Sequence, residues 1–174
     1  MNIKDKIKKN IRSIQNWPKQ GVIFRDITPV LQDKKLFNLL ISQMAKLYSK
    51  EKIDKIVGID ARGFLLAAPL AFKLKTGLVI ARKGGKLPFQ TISCDFELEY
   101  GKEILEIHKD SIKKGEHILL VDDVLATGGT MLACAKLVEK LKGKIVGILF
   151  LVELTDLKGK EKLKKYSVKS LISF

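Results

Sequence analysis

The sequence predicts an α/β domain in which a mostly parallel central sheet is flanked by helices. Short apolar runs at residues 55–59, 78–81, 118–121 and 145–151 have the length and composition of buried strands. Helical patterns separate these runs, which is the order expected of β-α-β units. The chain is 46% hydrophobic, and its length is sufficient for one domain with a sizeable core. We therefore expect a single domain over residues 1–174.

At the N-terminus, isoleucines recur at helical spacing among charged residues, at positions 3, 7, 11 and 14. They predict an amphipathic helix, which Trp17 and Pro18 end. A short strand at residues 21–24 follows. Residues 25–29 are predicted as an extended loop, because the residue before a proline avoids the helical conformation. Apolar spacing then predicts a helix over residues 35–49.

The middle of the chain has a different pattern. Apolar and polar residues alternate on both sides of Tyr100 and Gly101, which predicts a β-hairpin. We expect this hairpin to project from the sheet as a flexible lid over residues 88–107. The remaining predicted elements are a helix at residues 63–74, a helix at 129–141, a linker at 157–165 and an edge strand at 167–172.

The net charge of +14 comes from 33 lysines and arginines against 19 acidic residues. Most of this charge is expected on a solvated surface, because the lysines are scattered rather than gathered in one block. A polyanionic small substrate would account for part of it. The densest lysine cluster has only Tyr166 as an aromatic neighbour, which weakens the case for nucleic acid. We expect no nucleic-acid partner.

Two features indicate the compartment. The only cysteines, Cys94 and Cys134, have no metal-ligand spacing, which is typical of a reduced, intracellular protein. Apolar runs stay well short of a membrane span, and the first residues lack the hydrophobic stretch of a signal peptide. We therefore expect a cytoplasmic protein without a membrane partner.

The most informative segment is residues 118–130, in which a buried strand ends in two acids and continues through small residues into a helix. Ligands bind beyond the carboxyl ends of parallel strands, where Asp122 and Asp123 lie. Ionised carboxylates accept hydrogen bonds, which suits the paired hydroxyls of a ribose. The following loop suits a phosphate, because glycines permit close approach and N-H groups at a helix start attract anions. This loop consists of Ala126, Thr127, Gly128, Gly129 and Thr130.

Two further segments have the residue types expected of anion sites. Asp60, Ala61 and Arg62 form a polar turn between a predicted strand and helix, and arginine offers a forked donor to phosphate. The loop after the next strand has three cations beside two glycines, which suits a pyrophosphate that leaves during a reaction. These cations are Arg82, Lys83 and Lys86.

Each of these segments also has a purely structural interpretation. The acids and glycines after the long strand are also compatible with caps of the strand and the helix. A surface salt bridge is the alternative for Arg62, and a solvated loop is the alternative for the three cations. The Gly-x-x-x-x-Gly-Lys-Ser/Thr pattern is absent from the sequence, which disfavours a nucleoside triphosphatase.

Taken together, these segments resemble the type I phosphoribosyltransferases, and most closely the members that act on adenine. The resemblance spans roughly residues 11–162 and implies a small hood over residues 1–32 above a core over residues 33–174. It implies that the two acids meet the ribose hydroxyls, that the loop after them holds the 5-phosphate, and that the turn at Asp60 cradles pyrophosphate. It also implies a strained peptide bond between Asp60 and Ala61. The motifs that resemble the family are Gly-Val-Ile-Phe-Arg-Asp-Ile-Thr-Pro, Ala-Arg-Gly-Phe, Arg-Lys-Gly-Gly-Lys-Leu-Pro, Leu-Glu-Tyr-Gly and Asp-Asp-Val-Leu-Ala-Thr-Gly-Gly-Thr.

In the implied hood, Phe24 stacks on the purine, the backbone of Ile23 meets the edge of the base, and Arg25 borders the same pocket. Leu154 matches the apolar residue on the opposite face of the purine. Ordinary core packing is the alternative for Phe24 and Leu154.

The resemblance implies catalytic roles for Glu99 and Tyr100 in the lid, and for Arg62 beside the leaving pyrophosphate. Attack by a purine nitrogen requires the loss of a proton, and a carboxylate beneath a closing lid can accept it. Without the resemblance, Glu99 would be one exposed acid among several.

The implied reaction is transfer of the phosphoribosyl group from phosphoribosyl pyrophosphate to adenine, which gives AMP and pyrophosphate. Mg²⁺ is expected to be bound through substrate oxygens rather than by a metal site of the protein. Family resemblance also implies a homodimer. The alternatives are a phosphoribosyltransferase for hypoxanthine, guanine or orotate, or a nucleotide-sensing regulator on the same fold.

Overall fold

A seven-stranded sheet forms the centre of the computed structural model, which describes residues 2–98 and 101–174. Its strands are β3 (Lys55–Ile59), β4 (Gly77–Lys83), β5 (Thr91–Leu98), β6 (Gly101–His108), β7 (His117–Leu125), β8 (Lys144–Glu153) and β9 (Val168–Ser173). Their spatial order is β5-β6-β4-β3-β7-β8-β9. The five strands from β4 to β9 in this order run parallel, whereas β6 is antiparallel to β4 and β5. The predicted α/β class with a mostly parallel sheet is confirmed.

Helices cover both faces of this sheet, so its central strands are buried on both sides. The helices are α1 (Ile3–Lys9), α2 (Thr28–Gln32), α3 (Lys34–Lys46), α4 (Arg62–Leu74) and α5 (Gly129–Lys140). Side chains of β7 alternate between the faces: Leu119 and Val121 join the core beneath α3 and α4, and Ile118 and Leu120 join the core beneath α5. This packing fixes the carboxyl end of β7, where the predicted acids lie.

The N-terminal segment differs from the prediction. Helix α1 ends at Lys9, and a strand β1 (Arg12–Gln15) pairs antiparallel with β2 (Ile23–Asp26). The predicted helix is therefore wrong beyond Lys9, because Ile14 pairs with Phe24 across the two strands. Isoleucine is β-branched and suits a strand once a partner is available.

The predicted loop before the third helix is also partly wrong. Thr28 and Pro29 lie in the first turn of α2. A helix accepts proline there because the first N-H groups have no partner within the helix. The carboxylate of Asp26 accepts a hydrogen bond from the Thr28 N-H at 2.9 Å, which stabilises the start of this turn.

The predicted hairpin is present as β5 and β6, and it continues the main sheet beyond the end of β4. The pairing of β4 with β6 is short and joins Arg82 to Glu106 and Lys83 to Leu105. One side of the hairpin rests on α5, where the Lys140 ammonium group donates to the carbonyl of Ser93 at 3.0 Å. The hairpin therefore borders the carboxyl edge of the sheet.

The predicted linker at residues 157–165 is wrong. It forms two short 3-10 turns, Thr155–Leu157 and Gly159–Leu163, and the Leu163 side chain is fully buried in the core beneath α5. The predicted edge strand is confirmed as β9, which pairs only with β8 within the described sheet. In the part of the chain that the structure describes, no helix combines the length and the apolar character that crossing a membrane requires.

Candidate active site

Three of the predicted segments meet in one cavity of about 260 Å³ at the carboxyl edge of the sheet. Strands β3, β4 and β7 are neighbours and parallel, so the segments that follow them converge. Most of the lining residues were predicted from the sequence, and Phe96, Glu103 and Leu105 add the wall from the hairpin. The cavity is lined by Ile59, Asp60, Ala61, Arg62, Lys83, Phe96, Glu103, Leu105, Asp122, Asp123 and Thr130.

The two acids at the end of β7 are tightly coupled. Asp123 is 5% exposed, and its N-H donates to Oδ1 of Asp122 at 2.8 Å. Burial, and next the neighbouring carboxylate of Asp123, raise the pKa of Asp122 well above its usual value. Burial also raises the pKa of Asp123, although the Arg62 guanidinium opposes this effect. A ribose with two hydroxyl donors would provide the hydrogen bonds that such buried acceptors need.

Arg62 connects this acid pair to the hood. Its Nε lies 2.8 Å from Oδ2 of Asp123, and its guanidinium lies over the ring of Phe24 at 4.7 Å from the centroid. The alternative of a surface salt bridge therefore does not describe Arg62, because its partner is a buried acid. Arg62 begins α4, so the side chain joins the ends of β3 and β7 and the base of the hood.

The turn that precedes Arg62 contains a cis peptide bond between Asp60 and Ala61. The resemblance singled out this bond as unusual. Gly63, which follows Arg62, packs directly on the acid pair, because a Cβ atom there would lie 2.7 Å from Oδ1 of Asp122. Close packing of the turn on Asp122 requires glycine at this position.

Each of the three predicted cations pairs with an acid, although Lys83 and Lys86 are exposed. Oδ2 of Asp60 lies 3.1 Å from Nε of Arg82 and 3.4 Å from Nζ of Lys86. Lys83 pairs instead with Glu103 of the hairpin, at 2.8 Å. Burial opposes the ionised form of Asp60, yet hydrogen bonds from Arg82 and Lys86 hold its pKa below the usual value. Only Lys83 of the three cations lines the 260 Å³ cavity.

The predicted phosphate loop borders a second cavity of about 150 Å³. All five residues 126–130 line it, beside Asp122. Gly128 has a φ of +79° and immediately precedes α5. This left-handed backbone suits glycine, and the N-H groups at the start of α5 have no side-chain cap from this position. Such N-H groups can bind a phosphate.

A third cavity, of about 610 Å³, lies between the hood and the ends of β7 and β8. Ile23, Arg25 and Leu154 line it as predicted, whereas Phe24 is not part of its lining. The Phe24 ring instead packs edge-on against Trp17, with 4.4 Å between centroids. The whole lining consists of Pro18, Lys19, Gly21, Val22, Ile23, Arg25, Ala126, Leu154, Asp156, Leu157 and Phe174.

Several residues of these cavities were missed from the sequence. Phe174 lines the 610 Å³ cavity and lies under the Arg25 guanidinium, at 4.0 Å from the ring centroid. No local pattern marks it, because its position depends on backbone pairing with Glu153 and Thr155. The sequence could have indicated Glu103 as a residue of the site, because it is an acid on the predicted hairpin, opposite a strand that contains lysine. Glu99 and Tyr100 lie outside the described residues.

Comparison with known proteins defines the class. The family model for the phosphoribosyl transferase domain matches residues 27–174. The chain therefore belongs to the phosphoribosyltransferase family, and it is an enzyme of that family. This result confirms the resemblance that the sequence motifs indicated.

Three similar proteins within this family are adenine phosphoribosyltransferases. A relative from Clostridium botulinum, 54% identical over 168 residues that cover 97% of this chain and 98% of its own, is an adenine phosphoribosyltransferase. The crystal structure of adenine phosphoribosyltransferase from Thermoanaerobacter pseudethanolicus has a TM-score of 0.96 at 52% identity, with 98% and 99% of the two chains covered. The Saccharomyces cerevisiae enzyme, complexed with an imino-altritol bisphosphate and adenine, has a TM-score of 0.92 at 36% identity, with 97% and 98% covered.

Proposed function

We propose that the chain transfers the phosphoribosyl group from phosphoribosyl pyrophosphate to adenine, giving AMP and pyrophosphate. The observation that carries this proposal is the position of Ala126, which lines both the phosphate-loop cavity and the base cavity. A base and a 5-phosphate bound in these cavities are therefore neighbours, with the acid pair beside them. This arrangement matches the shape of a nucleoside monophosphate.

Each group of side chains has one task in the proposed reaction. Asp122 and Asp123 accept hydrogen bonds from the ribose hydroxyls, and residues 126–130 hold the 5-phosphate through backbone N-H groups. The bond from the anomeric carbon to pyrophosphate breaks as a purine nitrogen bonds to that carbon. Arg62 and the loop cations Arg82, Lys83 and Lys86 stabilise the negative charge that develops on pyrophosphate. Positioning and electrostatics thus supply most of the acceleration.

The base occupies the 610 Å³ cavity in this proposal. Ile23 and Arg25 border it from the hood, and Leu154 borders it from the end of β8. Phe24 stacks on the purine only after its ring leaves the edge-on contact with Trp17. Stacking by Phe24 remains a prediction.

Glu99 and Tyr100 act from the lid in this proposal. Glu99 accepts the proton that the attacking nitrogen loses, while the hairpin over residues 88–107 closes to exclude water. We expect Glu99→Gln to lower kcat by roughly 100-fold or more with little change in KM. The exposed hairpin acid Asp95 gives a matched control, Asp95→Asn, and unchanged turnover in Glu99→Gln would remove Glu99 from the mechanism.

The chain acts as one domain over residues 1–174, of which about residues 1–32 form the hood.

Mg²⁺ is the cofactor of the proposed reaction. Among residues 2–98 and 101–174, no group of three or more His, Cys, Asp or Glu side chains is placed to hold a metal ion. In this proposal Mg²⁺ would be bound through oxygens of the substrate rather than by a metal site of the protein. The bound ion would neutralise charge on the pyrophosphate. Chelation with EDTA should abolish turnover and leave adenine binding intact, and turnover that survives chelation would contradict this role.

The test of the reaction is an assay with phosphoribosyl pyrophosphate, Mg²⁺ and one base at a time. We expect adenine to yield AMP, and hypoxanthine, guanine and orotate to react far more slowly. Reaction with one of these bases but not with adenine would overturn the specificity. Binding of DNA at moderate salt without reaction of any base would instead favour the regulator, which the similarity to adenine phosphoribosyltransferases does not favour.

We also propose a homodimer that forms through the outer face of α4. Leu65 and Phe72 lie two turns apart on this helix and are 49% and 89% exposed. The isoleucine stripe serves the chain itself, because Ile7 and Ile11 are buried in its own core. Phe72→Lys should convert the dimer to a monomer in size-exclusion chromatography with light scattering. Phe89→Lys, at another exposed aromatic residue, is the control, and a monomeric unmodified chain would contradict the proposal.

The cytoplasm is the compartment that we propose for the reaction. Cys94 and Cys134 are free thiols in the structure, which suits a reducing compartment. Phosphorylated substrates are confined to the cell interior because charged groups cross a bilayer poorly. Recovery of the native protein in a membrane or secreted fraction would contradict this location.

A further inference from the structure

The predicted phosphate loop, residues 126–130, is in direct contact with the backbone of Gly159, which begins the short 3-10 turn Gly159–Leu163. A Cβ atom on Gly159 would overlap the carbonyl oxygen of Ala126 and would lie 2.8 Å from Cδ1 of Leu125. A Cβ atom on Gly128 would in turn lie 2.6 Å from the carbonyl oxygen of Gly159. Two glycines thus face each other across the contact, and neither side has room for a side chain.

The segment that contains Gly159 is held in place at three points. Lys160 pairs with Glu153 at the end of β8 at 2.6 Å, and Glu153 is 8% exposed. Leu163 is buried in the core beneath α5. Lys165 pairs with Glu139 of α5 at 2.7 Å. The backbone of Gly159 is therefore a fixed surface rather than part of a mobile tail.

We propose that Gly159 is a positioning residue for the 5-phosphate loop, and that the segment Gly159–Leu163 sets the conformation in which this loop binds phosphate. The proposal rests on the proposed function, in which residues 126–130 bind the 5-phosphate. Backbone N-H groups stabilise an anion most when they are already oriented. The loop contains two adjacent glycines, which have the greatest freedom in an unsupported chain, so an external support is needed to orient it. Gly159 provides that support without touching the substrate.

The principal test is Gly159→Ala. The added methyl group must displace the loop, because the overlapping atom at Ala126 belongs to the backbone. We expect KM for phosphoribosyl pyrophosphate to rise roughly 10- to 100-fold, because a displacement of about 1 Å can cost this much. We expect kcat to change far less, since Gly159 does not contact the acid pair. The KM for adenine should rise less than the KM for phosphoribosyl pyrophosphate, because Ala126 alone of the displaced loop lines the base cavity. Titration with ribose 5-phosphate, which contains the 5-phosphate but no pyrophosphate, should show the same loss of affinity.

Gly143→Ala is the matched control for destabilisation. A Cβ atom on Gly143 would lie 2.9 Å from Val138 and 3.0 Å from Ile112, so this variant is also overpacked. Gly143 precedes β8 at the end opposite the site, so its substitution should lower the melting temperature and leave binding of ribose 5-phosphate unchanged. A Gly159→Ala protein that is folded and binds ribose 5-phosphate as tightly as the unmodified chain would overturn the proposal.

A second pair of variants decides the matter if Gly159→Ala does not fold. Lys160→Gln removes the ion pair with Glu153, and Lys164→Gln removes the same charge from an exposed position directly after the segment. We expect Lys160→Gln alone to weaken ribose 5-phosphate binding, by roughly two- to fivefold. Equal effects of the two variants would overturn the proposal. An unmodified chain that binds ribose 5-phosphate but does not convert adenine would contradict the proposed function without touching this inference.

Discussion

The ends of β3 and β7 have the same architecture and opposite electrostatics. In both, a buried strand leads through a polar turn into a helix at the carboxyl edge of the sheet. At the end of β3, Asp60 has two cationic partners, and its pKa is lowered. At the end of β7, Asp122 is half-buried and the adjacent Asp123 is buried, and the pKa of each is raised. One strand end orders positive charge, and the other concentrates hydrogen-bond acceptors.

In the proposed reaction, this difference suits the two halves of the substrate. Pyrophosphate needs cations that are held in place but remain accessible, and Asp60 positions Arg82 and Lys86 in this way. A ribose needs acceptors for its hydroxyls, and a buried acid pair supplies them at a cost in stability. Arg62 belongs to both ends, because it begins α4 and pairs with Asp123.

The largest effect is expected from Asp123→Asn. The substitution removes the partner of Arg62 and one acceptor for the ribose, and loss of one member of a buried charge pair costs about 2–5 kcal/mol. We expect kcat/KM for phosphoribosyl pyrophosphate to fall about 100-fold or more, mainly through KM. Steady-state kinetics with varied phosphoribosyl pyrophosphate measures this change. Asp110→Asn, at an exposed acid, is the control, and a fall in kcat/KM of less than about fivefold would argue against the ribose assignment.

A smaller effect is expected from Asp60→Asn. The side chain then holds Arg82 and Lys86 less firmly, so pyrophosphate should bind about tenfold more weakly, as expected for the loss of charge-assisted hydrogen bonds. Inhibition by pyrophosphate measures its affinity directly, and ribose 5-phosphate affinity should stay the same. Asp33→Asn, which alters the N-cap of α3 away from the site, controls for lost stability. Equal loss of affinity for pyrophosphate and ribose 5-phosphate would contradict the proposal that the end of β3 binds pyrophosphate and the end of β7 binds the ribose.

The carboxyl edge was largely predictable from the sequence, and the hood was not. The strand, acids and glycines of residues 118–130 are contiguous, so a local pattern contains the whole unit. Ile14 fits a helical spacing, and only its pairing with Phe24 from another segment makes it part of a strand. The sequence did not indicate Gly159, which lies in a lysine-rich stretch. Its proposed role depends on a contact with Ala126 that no local pattern encodes. Non-local contacts thus account for the errors.

The smallest effect concerns stability against pH, where the two strand ends should respond in opposite directions. The pKa of Asp122 is raised above its ordinary value near 3.8. Its contribution to the free energy of unfolding is therefore fully present below pH 3.8 and is lost as the pH rises through the folded-state pKa. Asp122→Asn should therefore raise the melting temperature at pH 7 by roughly 2–4 °C, and this gain should vanish near pH 4. The lowered pKa of Asp60 gives stability that is present above 3.8 and is lost as the pH falls through the folded-state pKa.

Asp60→Asn should accordingly lower the melting temperature at pH 7, and its deficit should shrink in acid. Thermal unfolding of the unmodified chain and both variants between about pH 2 and pH 8, without ligand, measures the two slopes. The two differences from the unmodified chain should have opposite signs at pH 7 and should converge towards zero at the acid end. If both variants changed the melting temperature at pH 7 in the same direction, burial would not destabilise the ionised form of Asp122. The ends of β3 and β7 would then differ only in the ligands that they are proposed to bind.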